Sequence, residues 1–184
     1  MDFEPGIIRM VSDPDPLISR AAGAIAVARE RGVQVGYVRV AFEDADFAAV
    51  PATNKVFSRV AAAGASAFRA DAPETAVHER LAPVPGDIVV RKTRFGAFST
   101  TDLDRQLRDL GITTLFLAGI RTSGVVLSTV RDGADRDYRL FVLSDGCADP
   151  DAEVHEMLIT KIFPPQADVI TCAELPDLLA RRAS

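Results

Sequence analysis

The sequence predicts a single α/β domain over residues 1–184, with helices on both faces of a parallel sheet. First, strand-like and helix-like segments alternate along the chain, an order that gives parallel strands joined by right-handed helical crossovers. Second, the segment TTLFLAGI (113–120) is almost wholly apolar, as is typical of a strand covered on both faces. Third, 184 residues with a hydrophobic content of 48% provide one ample core, and a second domain is not expected.

The first half of the chain predicts one long helix, two strands and an irregular stretch between the strands. The helix has its N-cap at Asp13 or Asp15 and ends at Gly32, since apolar residues recur at helical spacing between these points. VQVGYVRVAF (33–42) and DIVVRK (87–92) are rich in β-branched residues and predict strands. Residues 43–85 contain four prolines, and short helices are expected there only near NKVFSRV and ETAVHERL.

The second half continues the alternation from the strand at 113–120. STTDLDRQLRDLG (99–111) precedes that strand and predicts a capped helix that buries three leucines. A helix is expected from about Ser123 to Arg136, followed by the strand RLFVLSD (139–145). The remaining elements are a helix PDAEVHEMLITKIF (150–163), a strand ADVIT (167–171) and a helix AELPDLLARRA (173–183).

The ends of the predicted strands mark a candidate site. In open parallel sheets, ligands bind outside the carboxyl ends of the strands. These ends carry Arg91 and Lys92, residues 119–121, and the pair Ser144 and Asp145.

The composition argues against several kinds of partner. A net charge of -5 and a pI near 5.1 do not fit a nucleic-acid or anionic-membrane partner. The apolar runs are far shorter than a membrane span, and the early Asp2 and Glu4 do not fit a signal peptide. Cys147 and Cys172 cannot form a disulfide framework and are expected to be small core residues. We therefore expect a cytoplasmic protein.

Four motifs in a fixed order cover nearly the whole chain: MDFEPGI, RKTRFGAFSTTDL, GIRTSGVVLSTVRDGAD and LSDGCADPDAEVHEMLITKIFPPQA. In these motifs the chain resembles the isochorismatase-like hydrolases, also called the cysteine hydrolase superfamily. The resemblance implies a Rossmann-like three-layer α/β/α sandwich around a mainly parallel, six-stranded sheet. We also expect a homodimer or a higher homo-oligomer that binds a small-molecule substrate.

The resemblance implies a catalytic triad of Asp, Lys and Cys, of which two members are present. Asp2 matches the Asp of a D-x-Q-like motif in which Glu4 replaces the usual Gln. Lys92, followed by Phe98, matches K-x-x-x-x-x-F, whereas Val125 occupies the nucleophile's place after a G-[VI]-x-T-x-x turn. A hydrocarbon cannot act as a nucleophile, and deleting one from a protease triad costs roughly 10⁶ in rate. Amide hydrolysis through a thiol is therefore not expected.

Further site residues are predicted around the same turn. The resemblance implies a non-proline cis peptide that maps to Ile120–Arg121. Arg94 and Arg121 are candidate clamps for a substrate carboxylate, because a guanidinium pairs with it in a bidentate manner. Phe98 and Thr122 complete the predicted substrate-binding set.

No metal and no cofactor are predicted. The Asp and two-His site of nicotinamidases, which belong to the same superfamily, has no counterpart in the two histidines of this chain. His78 is interpreted as a loop residue and His155 as a residue on the surface of a helix.

Three functions remain open at this stage. The favoured one is a thiol-independent hydrolase of a small anionic substrate with a vinyl-ether type of bond, in which Asp2 protonates the enol-ether carbon and Lys92 assists. The resemblance suggests this function because one branch of the superfamily, which hydrolyses a vinyl ether, carries glycine at the nucleophile position. Val125 is larger than glycine and narrows the pocket where the substrate would bind. The second is a pseudoenzyme that binds a small molecule without turnover. The third is a cofactor-free lyase or isomerase built on the Asp–Lys pair.

The start of the chain raises a separate expectation. The resemblance places the catalytic Asp at the end of a hydrophobic central strand, but Asp2 is preceded by Met1 alone. We expect the native chain to begin upstream of Met1; the alternative is that a rearranged or partner strand fills the gap.

Overall fold

Two groups of parallel strands form the centre of the molecule, and helices lie on both sides of them. The computed structural model describes residues 1–62 and 66–180. The helices are α1 (Pro5–Ile8), α2 (Pro14–Glu30), α3 (Asp44–Ala48), α4 (Phe57–Ala62), α5 (Leu103–Asp109), α6 (Leu127–Asp135), α7 (Ala152–Met157) and α8 (Leu175–Ala180). The strands are β1 (Gly36–Val40), β2 (Ile88–Lys92), β3 (Thr114–Ile120), β4 (Arg139–Ala148) and β5 (Asp168–Ile170). Among the described residues, no helix is long and apolar enough to cross a bilayer.

The long helix α2 forms as the sequence predicts. Asp13 is its N-cap residue, although its side chain makes no capping hydrogen bond. The buried face comprises Leu17, Ile18, Ala21 and Ala24, which lie at helical spacing. The chain leaves the helix through Gly32, whose φ of 66° lies in the left-handed region that glycine adopts without strain.

Tertiary contacts change the irregular stretch between β1 and β2. The first strand is shorter than the predicted 33–42, and α3 follows it directly. The helix expected near NKVFSRV is α4. The helix expected near ETAVHERL is replaced by two 3₁₀ turns, Pro73–Thr75 and Glu79–Leu81. Between these turns the backbone N–H of His78 donates to the carbonyl of Phe3 at 2.8 Å, so it is not available for a helical hydrogen bond.

Two of the predicted helices begin or end in a wider turn. The helix expected over 123–136 consists of a π-helical turn, Thr122–Val126, followed by α6. The helix expected over 150–163 is α7 followed by a second π-helical turn, Leu158–Ile162. The last helix, α8, is described to Ala180, and the remainder of the prediction, residues 181–183, lies outside the described residues.

The prediction of a six-stranded sheet is wrong for the described residues. β1 pairs with β2, and β3, β4 and β5 form a second sheet in that order, with all pairs parallel. Among the residues that the structure describes, no strand joins β1 to β3 along their length. Of the described residues, Met1 and Asp2 lie between these strands, and two residues are too few to pair along their length.

Met1 and Asp2 connect the two sheets at one end. The Met1 amino group donates to the carbonyl of Ala118 at 2.8 Å, and the N–H of Ile120 donates to the carbonyl of Met1 at 3.2 Å. On the other side the N–H of Asp2 donates to the carbonyl of Val38 at 2.8 Å. These are the hydrogen bonds of a parallel strand between β1 and β3, so the chain begins in a sheet position.

Apolar clusters on both sides of the strands complete three layers. One cluster joins α5 and α6 to the strands through Leu103, Leu107 and Val130. On the opposite side Ala24 of α2 packs with Leu175 and Leu179 of α8. The resulting α/β/α arrangement is the predicted one and places the carboxyl ends of β1, β2 and β3 at one edge.

Candidate active site

A buried ion pair lies where Asp2 meets the end of β2. Lys92 Nζ donates to Asp2 Oδ2 at 2.8 Å and to the carbonyl of Arg94 at 3.1 Å. The Asp2 side chain is only 7% exposed and the Lys92 side chain only 3%. The other carboxylate oxygen, Asp2 Oδ1, is buried without a hydrogen-bond partner. Leaving a buried oxygen without a partner costs free energy, so a ligand group that donates a hydrogen bond to this atom would recover part of that cost.

Opposing effects act on the proton affinity of Asp2. Burial raises the pKa of the Asp2 carboxyl, and the charge and hydrogen bond of Lys92 oppose that rise. Burial has the larger effect, so Asp2 holds its proton up to a higher pH than an ordinary aspartate does. The φ of Asp2 is 55°, in the left-handed region that few residues other than glycine adopt. Such conformations concentrate at functional sites.

Glu4 is a second buried acid, and its proton affinity was not foreseen from the sequence. Its side chain is almost fully buried, and Oε1 accepts the N–H of Val40 at 2.6 Å. Burial, together with the nearby charge of Asp2, raises the pKa of Glu4 to about 9. At neutral pH the side chain is therefore a neutral acid, which has the shape and polarity of the glutamine that the D-x-Q-like motif usually carries.

The turn after β3 brings Val125 next to the start of the chain. The Ile120–Arg121 peptide bond is cis, and Val125 is 2% exposed. A Cβ added to Gly119 would lie 2.8 Å from the Met1 carbonyl oxygen and 3.4 Å from Val125 Cγ1. Glycine is therefore required at this close approach. The Met1 carbonyl oxygen and Val125 Cγ1 therefore both lie next to Gly119, and Asp2 is the residue that follows Met1.

Two pairs that the sequence analysis did not predict hold this turn in place. Thr122 Oγ1 lies 2.8 Å from Nδ1 of His155, and burial lowers the pKa of that imidazole. His155 lies on the helix α7, as interpreted, but it is half-buried against the turn and not fully on the surface. Asp149 Oδ2 accepts from both the N–H and the hydroxyl of Ser123, at 2.8 and 2.6 Å.

The carboxyl end of β4 lies further along the chain than predicted. The strand runs to Ala148 because Cys147 and Ala148 pair with β3 after a register irregularity. Asp145 consequently lies away from the site, where Oδ1 accepts the N–H of Cys172 at 2.7 Å. The acid that reaches the turn is Asp149. The available signal was its position directly after the apolar end of β4.

Two arginines and two aromatic rings surround the turn. The Arg94 guanidinium lies 5.4 Å from the centroid of the Phe57 ring, which is 5.0 Å from that of Phe95. A Cβ on Gly124 would lie 3.6 Å from Arg121 Cβ and 3.9 Å from Phe95 Cδ1. These contacts place both arginines and both rings in one neighbourhood. The sequence indicated the arginines but not Phe57 or Phe95.

The other predicted substrate-binding residues are buried. Phe98 stacks on Tyr138 with ring centroids 5.8 Å apart, and the Arg136 guanidinium lies 5.1 Å from its centroid. Thr122 has no exposed surface. Both side chains are packed into the core, as are Asp2 and Lys92, and their contact with a substrate stays a prediction.

Neither cysteine occupies the nucleophile position. Cys147 is buried in the core beside β3, and burial raises its pKa to about 12. The pKa of the half-buried Cys172 is also raised to about 12, by burial and by Asp145. Thiols with so little thiolate at neutral pH are poor nucleophiles. Within the described ranges, no three His, Cys, Asp or Glu side chains are grouped as metal ligands.

The sequence of this chain matches the model of a known family. The model of the isochorismatase domain matches residues 1–174 of this chain. The chain belongs to the isochorismatase family. A solved isochorismatase family protein from Burkholderia thailandensis superposes with a TM-score of 0.81 at 28% identity, covering 97% of this chain and 92% of that one.

Several relatives carry names that state an activity. Ureidoacrylate amidohydrolase from Methylobacterium radiotolerans is 36% identical over 144 residues, 73% of this chain and 56% of that enzyme. The matched part of this isochorismatase-family chain thus spans little more than half of that relative. Maleamate amidohydrolase from Pseudomonas putida is 28% identical over 92% of this chain and 74% of its own length. Both names describe hydrolysis of an amide-type bond.

Proposed function

We propose that this protein is a hydrolase that works without a cysteine nucleophile on a small anionic substrate with a vinyl-ether type of bond. Asp2 transfers the proton, and Lys92 holds the carboxyl in position. The observation that carries the proposal is the state of Asp2: one carboxylate oxygen is bound by Lys92, and the other is buried and unpaired.

The position of Lys92 selects the oxygen that carries the proton. Lys92 donates to Oδ2, so a proton on Asp2 resides on Oδ1, which has no protein partner. Burial raises the pKa of Asp2 and so favours that protonated form. A group that reaches Oδ1 meets a positioned general acid, and such acids contribute about 10²- to 10⁴-fold to rate.

The reaction balances with water as the only co-reactant. The Asp2 proton moves to the terminal carbon of the vinyl ether, and the electrons of the double bond form the new C–H bond. Water adds to the resulting oxocarbenium carbon and returns a proton to Asp2. The hemiketal then loses its alcohol with transfer of a proton from hydroxyl to leaving oxygen, which gives a ketone and an alcohol.

The surroundings support an anionic, partly apolar substrate. Arg94 and Arg121 lie around the turn, and a guanidinium binds a carboxylate through two parallel hydrogen bonds. Phe95, which is 43% exposed, offers its ring to the apolar part, whereas Phe57 is buried and packs against it. Amide hydrolysis of the kind named in the relatives is not favoured, because the turn carries Val125 instead of a thiol.

A second function is favoured by one specific observation. Val125 is 2% exposed and fills the space beside Gly119 that a substrate would approach. A pseudoenzyme that only binds a small molecule does not need space for a reaction beside Gly119. It would still need the arginines and the aromatic side chains that contact the ligand. The retained Asp2–Lys92 pair favours the hydrolase over this alternative.

The test is hydrolysis of a carboxylate-bearing vinyl ether in D₂O. The wild-type protein should place one deuterium in the new methyl group of the ketone, because the proton on Asp2 exchanges with solvent before transfer. Asp2→Asn should lower kcat by about 10²- to 10⁴-fold. The exposed Asp135→Asn is the matched control and should keep the wild-type rate.

Two further outcomes decide between the alternatives. Asp2→Asn leaves Lys92 buried without its counter-ion, so the double variant Asp2→Asn/Lys92→Met is included to keep the fold without restoring the rate. Binding of the vinyl ether without turnover by wild-type protein would establish the pseudoenzyme. Hydrolysis of an amide panel with no vinyl-ether turnover would overturn both.

A further inference from the structure

Three ionisable side chains are buried together at the carboxyl ends of β1 and β2. Lys92 is the last residue of β2, while Asp2 and Glu4 are bound to residues near the end of β1. All three are buried, and Glu4 is only 1% exposed. Two acids and one base form an electrically neutral cluster when they hold one acidic proton besides the Lys92 ammonium. Because an unbalanced buried charge is costly, this one-proton state is favoured over a wide pH range.

The segment that carries both acids runs along β1. The N–H of Asp2 donates to the carbonyl of Val38 at 2.8 Å, and Glu4 Oε1 accepts the N–H of Val40 at 2.6 Å. Two acids that are two residues apart in the chain thus bind strand residues that are two apart. Both carboxyl groups are therefore held near the end of the same strand, Asp2 through its backbone and Glu4 through its side chain.

Burial opposes the ionised form of both acids, but each acid also has partners that stabilise this form. Asp2 Oδ2 accepts from Lys92 Nζ at 2.8 Å. The hydrogen bond from β1 and the charges of Lys92 and Arg39 favour the ionised form of Glu4. The Met1 amino group, which donates to a carbonyl of β3, favours the ionised form of Asp2. Neither acid is thus confined to one protonation state, so the single proton can reside on either of them.

The two acids are coupled electrostatically. Burial is the main cause that raises the pKa of Glu4 to about 9, and the charge of Asp2 adds to the rise. Coupled acids release their protons in steps that belong to the pair rather than to one residue. Below about pH 9 the pair therefore keeps one acidic proton that is available to Asp2.

We propose that Glu4 shares a proton with Asp2, so that the general acid of the site is the pair of carboxyl groups and not Asp2 alone. The inference rests on the proposed function, in which Asp2 donates a proton to the substrate. Glu4 acts only through Asp2 and is therefore a positioning residue, which determines up to which pH a proton is available at Asp2. A glutamine at this position would accept the same N–H of Val40 but would hold no proton.

The proton balance of the reaction is unchanged by this sharing. An anionic substrate beside Asp2 disfavours the Asp2 carboxylate, so the proton then resides on Asp2 Oδ1 and the negative charge on Glu4. The terminal carbon of the vinyl ether takes this proton. The proton released when water adds returns to the pair, which again holds one acidic proton when the products leave.

The first experiment is a carbon NMR titration of protein labelled with ¹³C in the aspartate carboxyl groups, without substrate. The Asp2 resonance is identified by its loss in Asp2→Asn. In the wild-type protein this resonance should shift in two steps, the second near pH 9, because the last proton of the pair resides partly on Asp2. Glu4→Gln should remove the second step, whereas the exposed Glu79→Gln is the matched control and should keep both. The same single step in the wild-type protein and in Glu4→Gln would overturn the proposal.

The second experiment compares the pH dependence of kcat/KM for a carboxylate-bearing vinyl ether. The wild-type value should fall only above about pH 9, the pH at which the pair loses its last proton. The value for Glu4→Gln should fall at a pH at least about one unit lower, which is roughly a 10-fold loss at pH 9, because Asp2 alone must hold the proton. The two curves should converge at low pH, where Asp2 keeps its own proton in both proteins; a merely structural role of Glu4 would lower kcat/KM at every pH.

The two readouts separate this inference from the proposed function. Identical alkaline limbs for wild-type protein and Glu4→Gln would overturn the shared proton even if both proteins hydrolyse the vinyl ether. Two NMR steps that depend on Glu4, in a protein that does not hydrolyse the vinyl ether, would overturn the proposed hydrolase and support the shared proton.

Discussion

Replacement of Glu4 by glutamine should stabilise the protein increasingly as the pH rises. The Glu4 pKa rises from 4.5 to about 9 on folding, so the folded state binds one more proton than the unfolded state between these values. The stability of the wild-type protein therefore falls with increasing pH across this window. Below about pH 4.5 the group contributes no pH dependence, because it is protonated in both states.

The magnitude follows from the two pKa values. At about 1.4 kcal/mol per pH unit, the full rise from 4.5 to about 9 corresponds to roughly 6 kcal/mol, and the part reached at pH 7 to roughly 3 kcal/mol. Glutamine keeps an oxygen that accepts the Val40 N–H and carries no proton to lose. Glu4→Gln should therefore raise Tm at pH 7 by about 6–12 °C.

The assay is a series of urea or thermal melts of both proteins from pH 5 to pH 9. The difference in unfolding free energy should grow by about 1.4 kcal/mol per pH unit and level off near pH 9. The exposed Glu79→Gln is the matched control and should give parallel curves. Parallel curves for Glu4→Gln as well would refute the reasoning, since they would mean that Glu4 is ionised in the folded protein.

Three further predictions follow from the site and its surroundings. Val125→Cys places a thiol in the turn that leads into α6, where the N-terminal end of the helix should lower the thiol pKa by more than burial raises it. The variant should therefore react with iodoacetamide faster than the wild-type protein, whose two thiols have raised pKa values, and faster than the same variant unfolded. Equal rates would show that the position does not favour a thiolate. Gly119→Ala should lower the free energy of unfolding in a urea melt by several kcal/mol, because the new Cβ would lie 2.8 Å from the Met1 carbonyl oxygen. The control Gly23→Ala in α2, where nothing lies within 4 Å of the new Cβ, should be neutral or stabilising by about 0.5–1 kcal/mol. Similar effects of both substitutions would contradict the close approach at Gly119. Arg94→Gln and Arg121→Gln should each raise KM for a carboxylate-bearing substrate by about 10-fold while leaving KM for its neutral ester unchanged, and an equal rise for the ester would exclude a carboxylate clamp.

Local pattern in the sequence determined most of the element order. Apolar spacing and Gly32 gave α2 its bounds, and β-branched or apolar runs located β1 to β5 to within a few residues. These signals are local, because helix and strand periodicities are imposed by neighbouring residues. The order of the four motifs carries the family resemblance, and that resemblance indicated Asp2, Lys92 and Val125 as the positions of interest.

Only the tertiary structure decided the contacts between distant segments. It divides the strands into two sheets, makes Asp149 rather than Asp145 the acid at the turn, and sets His155 against Thr122. It also shows that Asp2 Oδ1 is buried and unpaired and that burial makes Glu4 a neutral acid at pH 7. Burial and the geometry of polar pairs depend on residues that are far apart in the chain. Because desolvation and pairing set the proton affinity of a carboxyl group, the periodicity of a single segment cannot predict that affinity.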